Sequence, residues 1–222
     1  MSAGAGRSPG ELFDRLAGRY DRWFEEAPGR DIFRVEVECL RALVAGGRWL
    51  EVGVGTGRFA RALGVREGVD PSMEMLRYAR RRGLRVSRAR AEALPYPAGS
   101  FDGVLLVVTI CFLDEPARAV AECRRVLREG GRMVVGLVPR ESAWGGEYRR
   151  KARAGHAFYS AARFYTAAEV VEMAAGAGFG LEGARGCLFG PPGGEVGREV
   201  RAGLAEEAGF LALSFLRGDR GA

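Results

Sequence analysis

The sequence predicts an α/β fold in which a mostly parallel sheet is covered by helices on both faces. An apolar run at residues 49–52 leads into three alternating glycines, Gly53, Gly55 and Gly57, and then into helical spacing. Apolar strands and amphipathic helices alternate along most of the 222 residues, which is the pattern of a parallel sheet with crossover helices. A single domain with additions fits this length.

The composition disfavours several classes of protein. The longest apolar run, residues 104–113, spans ten residues, whereas about 20 are needed to cross a bilayer. Residues 1–9 lack an apolar signal region, so we expect a cytoplasmic protein with no membrane span. Four scattered cysteines and one histidine indicate no metal site. The net charge is +6, but the arginines alternate with acids, which argues against a nucleic-acid partner.

The first 46 residues are predicted to form a tail and two helices. Residues 1–7 are small and glycine-rich, which indicates a disordered tail. Ser8 and Glu11 make a capping box for the first helix, which ends near residue 27. The second helix runs from about residue 31 to 45 with its apolar residues on one face.

The glycine turn predicts a nucleotide-binding site. Glycines let a ligand approach the backbone closely, and the following helix presents its free N–H groups to the ligand. The dinucleotide fingerprint would need glycine or alanine at position 58, and Arg58 weakens that interpretation. The pattern that fits is acid-x-G-x-G-x-G, with Glu51 before the glycines and a second acid, Asp70, 19 residues later.

Four motifs in order resemble those of the class I S-adenosylmethionine (SAM) dependent methyltransferases, and of the quinone-biosynthesis type (methyltransferase type 11) in particular. They are E-V-G-V-G-T-G at 51–57, G-V-D-P-S-M-E-M-L at 68–76, A-E-A-L-P-Y-P-A-G-S-F-D at 91–102 and R-V-L-R-E-G-G at 125–131. The resemblance implies a Rossmann-like sheet of seven strands in the order 3-2-1-4-5-7-6, with the last strand antiparallel. It also implies one methyltransferase domain over residues 8–222, with cap helices over 8–46.

The resemblance further implies that SAM is the cofactor and S-adenosylhomocysteine (SAH) the product. Glu51 and the glycine loop would hold the methionine part and Asp70 the ribose hydroxyls, while Ser72 and Met73 of the second motif and Ala91 or Glu92 of the third would contact the adenine. The cofactor contacts predicted in this way are Glu51, Gly53, Gly55, Gly57, Asp70, Pro71, Ser72, Met73, Ala91, Glu92, Thr109 and Tyr20. Arg90 departs from the family, which usually has an aspartate there to accept a bond from adenine, because arginine only donates.

The methyl acceptor is less clearly indicated. Residues 139–165 fit no simple period and are predicted to form a substrate lid. The candidate acceptor contacts are Tyr20, Cys111, Tyr148 and Arg163, and the candidate bases for a phenol or an acidic carbon are His156 and Tyr159. Packing of Tyr20, Cys111 and the lid aromatics onto the domain is an open alternative for each.

The remaining sequence predicts a helix capped by Thr166, a sixth strand at 179–189, a helical segment at 195–208 and a final strand at 210–216. The predicted function is methyl transfer from SAM to a small molecule by in-line displacement. Two alternatives stay open, a SAM-binding module without turnover and an RNA-modifying methyltransferase. The sequence indicates no oligomeric state.

Overall fold

The computed structural model describes residues 9–44, 46–205 and 207–218. The predicted tail at 1–7 and the predicted capping residue Ser8 lie outside the described residues. The helices are α1 (Pro9–Trp23), α2 (Gly29–Arg41), α3 (Arg58–Leu63), α4 (Met73–Arg81), α5 (Pro116–Val126), α6 (Ala143–Arg153) and α7 (Ala167–Gly176). The strands are β1 (Trp49–Val52), β2 (Glu67–Asp70), β3 (Arg85–Arg88), β4 (Phe101–Val107), β5 (Leu127–Leu137), β6 (Phe179–Cys187), β7 (Val200–Ala202) and β8 (Phe210–Arg217).

The strands form one sheet in the order β3-β2-β1-β4-β5-β8-β6-β7. Strands β1 to β5 pair in parallel, and β8 lies antiparallel between β5 and β6. The predicted mostly parallel sheet with its inserted antiparallel strand is therefore confirmed. The two predicted helices also precede the first strand, as α1 and α2.

The sheet has one strand more than the seven predicted. Strand β7 pairs antiparallel with the edge strand β6, in register Cys187 with Val200 and Arg185 with Ala202. The helix predicted over 195–208 is wrong, because the described residues of this segment hold β7 and irregular chain. The open edge of β6 offers hydrogen-bond partners to the backbone here, and this long-range pairing overrides the local helical spacing.

The core has two layers because the side chains of the central strands alternate between the two faces of the sheet. Val104 and Leu106 of β4 belong to the cluster that includes residues of α5 and α7. Leu105 and Val107 belong to the opposite cluster, which includes residues of α2, α3 and α4. Both faces of β4 are therefore covered, and its carboxyl end is the part of the strand left to meet a ligand.

The predicted lid at 139–165 contains regular structure. It holds α6 and a short 3-10 turn at Tyr159–Ala161. Trp144, near the start of α6, is 6% exposed and donates a hydrogen bond from Nε1 to the Gly190 carbonyl at 2.8 Å. The lid is thus anchored to the loop after β6. None of the described helices is long and apolar enough to span a membrane.

Candidate active site

A cavity of about 810 Å³ lies at the carboxyl edge of β1, β2 and β4. Gly53, Gly55 and Asp70 line one end, and Tyr148 and Tyr159 line the other. The carboxyl edge of an open parallel sheet is where ligands bind in α/β folds. The chain thus forms one continuous space between the glycine loop and the lid.

Gly53 and Gly55 of the loop are surrounded differently, one by packed side-chain atoms and the other by open space. Gly53 has a φ of 73°, and a Cβ placed on it would lie 2.4 Å from Cγ2 of Thr109. Gly55 has a φ of 52°, but the nearest atom to a Cβ there would be Cε1 of Tyr20 at 3.8 Å. Gly53 is therefore needed for packing against Thr109, just beyond the end of β4, whereas Gly55 leaves backbone open to the cavity.

Asp70 is held in place by backbone groups. Its Oδ2 accepts a hydrogen bond from the Gly55 N–H and its Oδ1 one from the Ser72 N–H, both at 2.9 Å. Burial raises the pKa of Asp70 to about 6, so the side chain is ionised at neutral pH. Each carboxylate oxygen can accept a second hydrogen bond. This arrangement fits the two hydroxyls of a ribose.

Glu51 lies beneath the loop and is only 2% exposed. Burial raises its pKa well above the usual range, in spite of the Ala60 backbone N–H, and the charge of Asp70 raises it further. Its Oε2 has no hydrogen-bond partner among the described residues. Glu51 does not line the cavity, so its contact with the methionine part of SAM stays a prediction.

The other predicted cofactor contacts include residues that line the cavity and residues that do not. Pro71, Ala91, Glu92 and Thr109 line the cavity, and so does Tyr20 from α1.

Ser72 and Met73 do not line it. Ser72 instead caps α4, where its Oγ accepts a bond from the Met75 N–H at 3.2 Å and donates to Asp14 at 2.6 Å. The methionine that lines the cavity is Met75.

Arg90, the departure from the family pattern, stands at the cavity wall as part of an ion-pair cluster. Its guanidinium lies 2.5 Å from Asp114 and 3.4 Å from Glu92. Arg90 lines the cavity together with both acids. Its charge is therefore balanced by neighbours within this wall.

Helix α1 is fixed above the glycine loop by a cluster of charges. Arg58 donates two hydrogen bonds to the Asp21 carboxylate, at 2.8 and 2.9 Å, and Arg82 donates a third at 2.9 Å. Burial alone would raise the pKa of Asp21, but the bonds from Arg58 and Arg82 outweigh it and lower the pKa. Arg58, the residue that weakens the dinucleotide interpretation, thus ties α1 to the start of α3.

The acceptor end of the cavity is walled by aromatic rings. Tyr148 and Tyr159 stack with centroids 4.3 Å apart, and His156 stacks on Tyr159 at 4.4 Å. Phe158 lies edge-on to Tyr20 at 5.8 Å, which joins the lid to α1. The cavity is also lined by phenylalanines that were not predicted as site residues, namely Phe13, Phe24, Phe59, Phe112 and Phe158.

The two candidate bases differ in protonation. Burial, Arg19 and Lys151 lower the pKa of His156, so its imidazole is neutral at pH 7. Its buried Nδ1 has no partner among the described residues. Burial raises the pKa of Tyr159 to about 12, so this hydroxyl is protonated. Of the two, His156 alone is in a state to accept a proton.

Two candidate acceptor contacts lie away from the large cavity. Cys111 lines a separate cavity of about 40 Å³, and its thiol donates to the Val108 carbonyl at 3.4 Å. Burial raises the pKa of Cys111 to about 12, which keeps the thiol protonated. Arg163 is exposed, with its guanidinium carbon 4.9 Å from the ring centroid of Tyr165.

Sequence reasoning missed an acid in the acceptor wall. Glu36 of α2 is 6% exposed and lines the large cavity. Burial, with a smaller contribution from Cys39, raises its pKa to about 8. The signal was available, because Glu36 falls three residues after Phe33 and four before Leu40, on the apolar face of its helix.

Comparison with known proteins agrees with this geometry. Residues 50–135 match the methyltransferase domain family. An uncharacterized protein of Mycobacterium tuberculosis is 44% identical over 206 residues, which cover 90% of this chain and 72% of that protein. A demethylmenaquinone methyltransferase of Clavibacter sepedonicus is 34% identical over 149 residues, which cover 61% of each chain.

A solved structure from Thermotoga maritima superposes on nearly the whole chain. It is described as a SAM-dependent methyltransferase and possible histamine N-methyltransferase, and its sequence is 38% identical to this one. The match covers 94% of this chain and 99% of that one, with a TM-score of 0.88. The shared fold, the ordered motifs and this degree of identity place the chain in the family of SAM-dependent methyltransferases.

Proposed function

We propose that this chain transfers a methyl group from SAM to a small-molecule acceptor. The observation that carries the proposal is the continuity of the cavity, which runs from Gly55 and Asp70 to Tyr148 and Tyr159. Its volume of about 810 Å³ lies within the usual range of small-molecule sites. A donor and a small acceptor would share this space side by side.

The residues at the glycine-loop end fit SAM. Asp70 would accept hydrogen bonds from the ribose hydroxyls, and the open backbone at Gly55 would take the methionine part. Glu92 and Met75 would flank the adenine. When bound, SAM supplies an electrophilic methyl group, whose bond to sulfur breaks with its electron pair remaining on the sulfur of SAH.

The chain contributes positioning and exclusion of water. Helix α1, held by Asp21 and Arg58, covers the glycine loop, and the stacked lid rings close the other end. Holding two reactants in line supplies up to roughly 7 to 11 kcal/mol of the barrier. Amine and thiolate acceptors therefore need little further help from the protein.

The walls of the acceptor end favour a small molecule over RNA. They are formed by aromatic rings and by the acid Glu36. RNA binding depends on basic groups that neutralise phosphates. The Thermotoga maritima protein, a possible histamine N-methyltransferase, supports a small acceptor as well.

The experiment is calorimetry with SAH followed by turnover with labelled SAM. Asp70→Ala is expected to weaken SAH binding by roughly 10- to 100-fold, because hydrogen bonds to a charged group contribute about 1.5–3 kcal/mol. Asp31→Ala is the control, since it removes an acid of α2 that does not line the cavity. Absence of SAH affinity, or an unchanged affinity in Asp70→Ala, would contradict the proposal.

Turnover assays distinguish the proposed function from its two alternatives, a SAM-binding module without turnover and an RNA-modifying enzyme. Amines, thiols and phenols are offered with labelled SAM, and SAH formation is measured for each. Binding of SAH without turnover across this panel would favour a SAM sensor. Label recovered in RNA, together with RNA binding that weakens with salt, would favour an RNA-modifying enzyme.

A further inference from the structure

Glu36 is a buried acid that has no cationic partner among the described residues. It lies in α2 and is 6% exposed. No hydrogen bond and no cationic side chain among the described residues lowers its pKa, which burial raises to about 8. Glutamates are almost never buried to this degree unless they are paired. Because the side chain lines the large cavity, a ligand is able to supply the missing partner.

The tyrosine hydroxyls that face Glu36 are protonated at pH 7. Burial raises the pKa values of Tyr20, Tyr148 and Tyr159, and the charge of Glu36 contributes to each shift. Glu36 also interacts electrostatically with the thiols of Cys39 and Cys187, and a hydrogen bond with Cys187 lowers the pKa of Cys39. Arg185 of β6 acts on Cys39 but does not contribute to the pKa of Glu36.

These neighbours form a site for a cation joined to an apolar group. Tyr20, Tyr148 and Tyr159 line the same cavity as Glu36, and the last two rings stack on each other. Aromatic faces attract cations by about 0.5–2 kcal/mol and bury planar apolar groups. An ammonium group would find a carboxylate and ring faces together.

We propose that Glu36 recognises the methyl acceptor and that this acceptor is an amine with an aromatic or other apolar group, bound through its ammonium. The inference rests on the proposed function, which it deepens by naming the substrate class. The ammonium lies on Glu36 and the apolar group lies among the lid rings. Glu36 is a specificity-determining residue in this arrangement.

The Glu36 carboxylate also accepts the proton that the ammonium group must lose before it is methylated. An ammonium nitrogen has no lone pair, so it must lose one proton before it reacts. Transfer of that proton to the Glu36 carboxylate leaves a neutral amine and a neutral acid, which balances charge and protons. The nitrogen lone pair is then free to form the bond to the methyl carbon. A base whose pKa lies near the working pH suits this task.

Calorimetry on SAH-saturated protein tests the proposal. The probes are 2-phenylethylamine, tryptamine and histamine, with 2-phenylethanol as the neutral counterpart of the first. We expect at least one amine to bind, and 2-phenylethanol to bind at least tenfold more weakly than 2-phenylethylamine. Glu36→Gln should weaken amine binding at least tenfold and leave the affinity for SAH and 2-phenylethanol within twofold.

Glu38→Gln is the matched control. Glu38 lies on the exposed face of the same helix and does not line the cavity. It should bind amines like the unmodified protein. Glu36→Gln keeps the size of the side chain and replaces a buried acid that has no cationic partner among the described residues, so its thermal midpoint should not fall. A measured midpoint thereby separates loss of recognition from loss of folding.

Proton release provides a second readout. Glu36, with a pKa of about 8 caused mainly by burial, is mostly protonated at pH 7 before the ligand binds. Binding of an ammonium should therefore release close to one proton, and the heat should differ between phosphate and Tris buffers. Glu36→Gln should show no such difference.

The outcomes separate the two proposals. If SAH binds but no amine does, or if amines bind Glu36→Gln as well as the unmodified protein, the assignment of Glu36 is wrong while the proposed function stands. Equal binding of 2-phenylethanol and 2-phenylethylamine has the same consequence. If SAH itself does not bind, the proposed function fails first.

Discussion

The two ends of the cavity are built in opposite ways. At the glycine-loop end, Gly53 and Gly55 come just after β1 and Asp70 is the last residue of the neighbouring strand β2, and backbone N–H groups fix the acid. At the acceptor end, side chains from α1, α2, α6 and the turn at Tyr159–Ala161 meet across long stretches of sequence. The first end leaves little freedom to substitute, whereas the second can change its ligand by changing single side chains.

The largest expected effect comes from the glycine loop. Gly53→Ala should lower the free energy of unfolding by about 2–5 kcal/mol, because a positive φ costs a side chain about 1–2 kcal/mol and overpacking against Thr109 adds about 1–3. Denaturant unfolding measures this loss. An unfolding free energy within 1 kcal/mol of the parent would show that the loop is not as constrained as its contacts indicate.

Gly55→Ala tests the difference between the two glycines of the loop. Its Cβ would have no neighbour closer than Tyr20 at 3.8 Å, so the stability loss should stay near the φ cost of about 1–2 kcal/mol. The added methyl group would instead project toward the cavity and weaken SAH binding at least tenfold. Calorimetry and unfolding, measured on both alanine variants, should therefore rank them in opposite order.

The next effect concerns helix α1, which covers the glycine loop and also contacts the acceptor end of the cavity. Asp21→Asn should lower the free energy of unfolding by about 1.5–3 kcal/mol, since it weakens charged hydrogen bonds from Arg58 and Arg82. Amide exchange should rise in α1 before it rises in β4. Asp31→Asn is the control, because the ion pairs of Asp31 with Arg30 and Arg34 are exposed. Equal exchange in the two variants would contradict a clamping role for Asp21.

A smaller effect follows from the pKa of Asp70, which burial raises to about 6. Since SAH is expected to bind the carboxylate, its affinity should fall about tenfold between pH 7 and pH 5. The contribution of Asp70 to the free energy of unfolding changes with pH in the opposite direction. The raised pKa favours the protonated form in the folded state, so the contribution of Asp70 is most favourable below its unfolded value of about 3.9 and is lost as pH rises through 6. Calorimetry on Asp70→Asn should give weak binding with little pH dependence.

The contrast between the two ends also explains how far the sequence could be interpreted. The glycine loop and Asp70 were identifiable because turn chemistry and spacing are local properties. Met73 and Met75 lie two residues apart near the start of α4, and the motif alone did not indicate which one would line the cavity. The place of Glu36 on the apolar face of α2 indicated burial, but its contact with the cavity depends on how α2 packs against α3, β6 and β8, which no local pattern records.

Long-range pairing limited the sequence analysis in the same way at the end of the chain. The segment at 195–208 has helical spacing, yet Val200 and Ala202 extend the sheet from β6. Residues 139–165 showed no simple period, although α6 lies within them. Trp144 of this helix is held by a hydrogen bond to Gly190, a contact 46 residues away in sequence. Such elements are stabilised by tertiary contacts more than by propensity.

The smallest expected effect comes from Cys111, and it tests whether the acceptor end of the large cavity extends to this residue. Cys111 lines the cavity of about 40 Å³ behind Phe112 and Tyr159, and burial raises its pKa to about 12, so it offers neither contact nor nucleophile to the larger space. Cys111→Ala should keep SAH and amine affinities within twofold and lower the free energy of unfolding by about 1 kcal/mol, the usual consequence of removing one buried heavy atom. A tenfold loss of amine affinity with unchanged SAH binding would instead mean that the two cavities join when an acceptor binds. The acceptor end would then include the wall formed by Cys111, as the sequence predicted.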